Sequence, residues 1–125
     1  MSHRLNTLVQ EARYAVFESP ERLVSLFDSL KPKQKISVAM TSVMGRGIYT
    51  DGHPHDWLVG RRGKSAKYGT ETITLIPADD PTRKFSVHNA FRLWKRKDSD
   101  GDLFVTASHG DMGLSLKSIN GIPTK

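Results

Sequence analysis

Trp94 stands between Arg92 and Arg96 in a stretch whose residues alternate in character. Over residues 85–97 the odd positions begin Phe85, Val87, Asn89, Phe91 and Leu93, a mostly apolar set. The even positions include His88, Arg92, Trp94 and Arg96. Successive side chains of a strand point to opposite faces, so Arg92, Trp94 and Arg96 form one row. An indole flanked by two guanidinium groups on an open sheet face suits a nucleic-acid base and its phosphates. The ring stacks on the base at roughly 1–3 kcal/mol, and the cations meet the backbone. The plainer alternative is that Trp94 covers a second apolar layer and the arginines flank it.

A second cationic group is the run Gly60-Arg61-Arg62-Gly63-Lys64-Ser65-Ala66-Lys67-Tyr68-Gly69. It reads as a loop whose glycines let the backbone approach a ligand closely, while Arg61, Arg62, Lys64 and Lys67 neutralise phosphates. Tyr68 adds a ring for stacking. Gly63-Lys64-Ser65 invites comparison with a nucleotide-binding P-loop, but the spacing rejects it. The leading glycine of that motif falls on Leu58, and the residues after Ser65 read as strand rather than helix. The bland reading is a solvated basic turn. Lys31, Lys33 and Lys35 serve equally well as a solubilising linker or a binding group. Arg46 and Tyr49 are placed as extensions of the same surface, and Trp57 stays open between a stacking ring and a core residue.

Other constellations are weaker. His53-Pro54-His55-Asp56, joined by His88 or His109, has the donors for a divalent metal, and a metal-dependent nuclease would share the basic surface. No metal-site spacing such as His-Glu-x-x-His accompanies them, and no metal or other cofactor is expected. Asp98-Ser99-Asp100-Gly101-Asp102 has the acids of a calcium loop, but its glycine comes too early and His109 stands where the last acid belongs. No serine sits in a nucleophile-elbow context, so no catalytic residue is assigned and the chain is not read as an enzyme.

These groups need elements to hold them. Leu5, Leu8, Val9, Ala12 and Val16 repeat at helical spacing, as do Leu23, Val24, Phe27 and Leu30 after the helix-start signal Ser19-Pro20-Glu21. Pro32 ends the second helix. From Ile36 the period falls to two, and strands are predicted over residues 36–41, 57–59, 70–76, 85–97 and 102–108. Residues 98–101 make a hairpin turn, and the tail from Asp111 is read as a short helix closed by Gly121. The expected fold is α+β: an N-terminal helical pair followed by a mostly antiparallel sheet of about five strands. One domain is expected over residues 1–125, with a helical unit at 1–30, a basic β-rich unit at 35–110 and a tail at 111–125.

Charge follows these divisions. The 125 residues carry a net charge of +6, distributed as −1 over residues 1–30, +9 over 31–97 and −2 over 98–125. One surface facing a polyanion is the simplest account. The chain has no cysteine, which excludes a disulfide scaffold, a thiolate zinc site and a cysteine nucleophile. No apolar run is long enough for a transmembrane helix and no secretory signal is visible, so a cytoplasmic protein without a membrane partner is expected. The basic region has no recognition-helix pattern. Strand-borne aromatics with basic loops fit single strands better than duplex DNA.

The run Trp57-Leu58-Val59-Gly60-Arg61-Arg62-Gly63-Lys64-Ser65, with Phe91-Arg92-Leu93-Trp94-Lys95-Arg96-Lys97-Asp98-Ser99-Asp100-Gly101 and Ser108-His109-Gly110-Asp111, resembles the small single-stranded-DNA-binding RNA polymerase cofactors of certain tailed bacteriophages. The resemblance spans roughly residues 35–112. It implies a non-catalytic protein of the host cytoplasm that coats single strands cooperatively, self-associates and helps a phage RNA polymerase use melted promoters. The residues themselves point to sequence-tolerant single-stranded DNA binding. Arg61, Arg62, Lys64, Lys67, Arg92 and Arg96 meet phosphates, Trp94 with Tyr68 or Tyr49 stacks on bases, and Arg46 extends the surface. The N-terminal helices mediate self-association into a homo-oligomer or polymerase binding. RNA stays open as a ligand, because stacking and phosphate contacts alone do not separate it from DNA. Two other classes stand beside this reading: a protein-interaction module that modulates a host or phage enzyme, and the metal-dependent nuclease.

Overall fold

A computed structural model describes residues 19–43, 47–65, 70–83, 85–86 and 89–124. Helix α1 (Ser19–Ser29) is followed by seven strands: β1 (Lys35–Thr41), β2 (His55–Lys64), β3 (Glu71–Pro77), β4 (Phe91–Lys97), β5 (Leu103–His109), β6 (Met112–Ile119) and β7 (Ile122–Pro123). Each of β1 to β6 pairs antiparallel with the next, and β6 returns to pair with β1, closing a six-stranded barrel; β7 adds to β6.

Alternation builds the interior. Val38, Trp57, Ile73, Leu93 and Ile119 are fully buried and face one another across the barrel with Ile36, Val59, Leu75 and Met40. Their neighbours along each strand turn outward, as the two-residue period of a strand requires. In α1, Leu23, Phe27 and Leu30 recur at helical spacing and join the same core, while Glu21, Arg22, Asp28 and Ser29 stay exposed. Each buried apolar side chain contributes about 1.5–3 kcal/mol. The helix packs chiefly against β5, with further contact to β7, and side chains of β2 and β4 tie down its C-terminal end: Arg62 bonds the carbonyl oxygens of Phe27 and Leu30, and Lys95 bonds Asp28.

A bulge shapes β2. Val59 pairs with Leu75 and Arg62 with Ile73, so Gly60 and Arg61 together oppose Thr74. A Cβ at Gly60 would lie 2.9 Å from the Thr74 carbonyl oxygen, so that position needs glycine.

The α+β expectation is therefore corrected to a mostly β fold: a closed antiparallel barrel of six strands plus one, with a single short helix among the described residues. The helix expected over residues 5–16 lies outside them. The basic run at 60–64 is strand rather than loop, because β2 passes through the bulge instead of stopping at Val59. The strand expected from residue 85 starts at Phe91, since the amide of Asn89 turns back onto the Ser86 carbonyl. The tail is not a helix. Leu114 and Leu116 are buried and Ser115 and Lys117 exposed, a two-residue period, and Asn120-Gly121 takes positive φ at both residues. That is the two-residue turn that right-twisted hairpins favour, and it joins β6 to β7. Among the described residues no helix is long and apolar enough to cross a membrane.

Candidate nucleic-acid interface

On β4, Phe91 and Leu93 are buried in the barrel while Arg92, Trp94 and Arg96 are half-buried on its outside. The neighbouring strands complete that outer face. Arg92 lies opposite Thr74 on β3 and Ser108 on β5. Trp94 lies opposite Thr72 and Thr106, and Arg96 opposite Phe104. One strand further, Gly63 opposes Thr72, and the β2 bulge sets exposed Arg61 against Thr74. Directly opposed residues share a face. Arg61, Arg92 and Arg96 therefore surround Trp94 on one convex surface of β2 to β5, interspersed with hydroxyl groups.

The indole is held in place. Its Nε1 donates to Ser108 Oγ at 2.6 Å, a diagonal bond across the β4–β5 ladder. Ser108 itself is only 6% exposed. The Arg96 guanidinium lies over the indole, 4.8 Å from the ring centroid, in cation–π geometry. Trp94 is thus a held ring with a cation over one face, a pairing of aromatic and basic groups of the kind single-strand binding surfaces use.

Several sequence assignments change. Arg62 shares the inward register of Ile73 and donates through Nε and Nη2 to the carbonyl oxygen of Leu30, at 3.2 and 2.8 Å, and through Nη2 to that of Phe27. The Phe27 carbonyl also accepts the Leu30 amide at 3.3 Å, and the guanidinium adds donors to both carbonyl groups at the helix end while lying over the Phe27 ring. Arg62 is a helix-capping residue, not a phosphate ligand. Tyr49 is only 7% exposed, packs 4.9 Å from Trp57, and donates its hydroxyl to Asp79 at 3.1 Å. Burial, and then the bond to Asp79, raise its pKa above the usual phenol value. It belongs to the core and stacks on no base. Trp57 is wholly buried and is likewise core.

Lys64 is exposed but shares a register row with Glu71 and Lys95. That row alternates with Trp94's, at the end of the barrel beside α1. There Lys95 bonds Asp28 at 2.7 Å and Glu71 at 2.8 Å, and the two carboxylates raise its pKa, Asp28 first. Arg46, Lys67 and Tyr68 lie outside the described residues.

Among the histidines, His55 Nε2 meets Asp51 Oδ1 at 2.9 Å, and His109 stacks on Phe91 with its ring centroid 4.2 Å away. Accepting hydrogen bonds from His55 and the His53 amide lowers the pKa of Asp51. Asp98, Asp100 and Asp102 cluster at the β4–β5 turn, where Asp98 Oδ1 accepts the amide N–H of both Asp100 and Asp102, as a turn-forming aspartate does.

Sequence reasoning missed Thr72, Thr74, Thr106 and Ser108. The alternating threonines of β3 were a visible signal, but which of them meet Trp94 depends on register. The chain matches no family model, no curated protein and no solved structure.

Proposed function

We propose that this protein binds single-stranded DNA, with little base preference, on the outer face of β2 to β5. The observation that carries the reading is the half-exposed indole of Trp94, fixed by Ser108 and accompanied by Arg96. A base stacks on the indole, a sequence-tolerant contact because every base has a π-face. Arg61, Arg92 and Arg96 meet phosphates on either side, and the hydroxyl groups of Thr72, Thr74 and Thr106 are spaced between them for sugar and phosphate oxygens. The surface is convex, and among the described residues no helix projects from it toward a major groove, which favours a splayed single strand over a duplex. Under this reading the protein acts in the cytoplasm as a strand-coating or transcription cofactor. Self-association and a polymerase partner are the further expectations of the phage-cofactor resemblance.

The test is anisotropy of labelled single- and double-stranded oligonucleotides across a salt series. Three phosphate contacts at about 0.7 each give a log–log salt slope near −2 for single strands. Preference for single-stranded DNA with that slope or a steeper one supports the reading. Absence of binding at physiological salt, or equal affinity for duplex, overturns it. Tighter binding of the matching RNA would reassign the ligand.

A further inference from the structure

The barrel has a seam. The β5–β6 ladder runs from His109↔Met112 to Ala107↔Leu114 and stops. From Ser115 onward β6 pairs with β1 on one side, and near Ser118 with β7 on the other. Residues 103–106 of β5 therefore have β4 on one flank and, among the described residues, no strand on the other, where α1 packs against β5 and brings Leu23 to the seam. The phase of the β4–β5 ladder is set by the Asp98 amide bonding the Asp102 carbonyl and the Gly110 amide bonding the Ala90 carbonyl. In an antiparallel ladder such bonded pairs alternate, so Leu103 and Val105 direct their N–H and C=O groups away from β4, into the seam.

The seam is also a groove. A cavity of about 310 Å³ is lined by Leu23, Val105, Leu114 and Leu116, by Pro20 and Phe104, and by three hydroxyl side chains, that of Thr106 among them. Pro20 and Phe104 also line a wider cleft of about 650 Å³, where Val24 and Leu103 meet the carboxylates of Glu21, Asp98 and Asp102. In a chain of net charge +6, this end of the groove is acidic, with Lys97 at the end of β4 offsetting one charge. An open strand edge selects an extended backbone, apolar hollows select alternate side chains, and the carboxylates repel a nucleic acid and attract cations.

We infer that this groove binds an extended segment of a partner protein. The segment adds as a strand along β5, with apolar side chains at alternate positions and lysine or arginine at the end beside the β4–β5 turn. This docking goes beyond DNA binding and does not rest on it.

The test uses the full chain and a short acetylated, amidated fluorescent peptide, Ser-Val-Thr-Val-Thr-Val-Lys-Lys, with a control carrying Glu-Glu in place of Lys-Lys. The lysine peptide should bind about tenfold more tightly than the control and slow hydrogen exchange at the Leu103 and Val105 amides. The double variant Glu21→Lys, Asp102→Lys should abolish that preference while both proteins keep the same thermal midpoint within a few degrees. Equal affinity of the two peptides, binding without added protection at Leu103 and Val105, or no binding of either would overturn the inference. So would full protection of those amides in the free chain, which would assign the edge to a second copy or to another segment of the same chain.

Discussion

Trp94 Nε1 and Ser108 Oγ are joined across the β4–β5 ladder at 2.6 Å, so the orientation of the half-buried ring depends on a nearly buried hydroxyl. Ser108→Ala removes the acceptor. The indole N–H can then turn to water, because the ring is half-exposed, so the stability cost is about 1 kcal/mol. Affinity for single-stranded DNA should fall by more than that loss of stability accounts for, because the ring is released. Chemical denaturation and anisotropy on the same variant separate the two effects.

Arg61 and Arg62 are adjacent in sequence and opposite in role. Arg61→Ala should lower the salt slope for single strands by about 0.7 and leave stability unchanged within about 0.5 kcal/mol. Arg62→Ala leaves the Leu30 carbonyl without its guanidinium donor and should cost about 1–3 kcal/mol, with the salt slope unchanged. A variant pair with these effects exchanged would contradict the bulge assignment.

Lys95 ties α1 to β3 through Asp28 and Glu71, and both bonds raise its pKa in the folded state above the ordinary 10.5. A folded pKa above the unfolded value means that the stabilisation is complete below the unfolded pKa and is lost as pH rises through the folded one. Unfolding free energy should therefore decline above about pH 10.5, and Lys95→Met should flatten that alkaline limb. Urea midpoints measured between neutral pH and pH 11 check this.

The outward row on β4 was legible because alternation in a strand is local: Phe91 and Leu93 against Arg92, Trp94 and Arg96 needs no knowledge of neighbours. Arg61 and Arg62 were not separable, because a bulge at Gly60 reverses the parity of the later β2 residues, and the bulge is dictated by close approach to the Thr74 carbonyl. Tyr49 sits in a polar, glycine-rich stretch, and its burial comes from Trp57 on the next strand and from Phe91 and Asp79, which are distant in sequence. Barrel closure depends on the β1–β6 pairing, between residues some eighty positions apart. The Asn120-Gly121 turn is a local signal, but a glycine after a short apolar stretch equally fits a helix stop.

Under the proposed function a base stacks on Trp94, and quenching of indole emission during titration with oligo(dT) reads that contact. Trp57 is fully buried and serves as the internal background, isolated in the Trp94→Phe variant. Saturable quenching in the wild type is predicted, absent in Trp94→Phe, with affinity falling about 5–150-fold in Trp94→Ala, the equivalent of one stacked base at 1–3 kcal/mol. Oligonucleotide binding detected by anisotropy with no change in Trp94 emission, or undiminished affinity in a folded Trp94→Ala, would contradict the account.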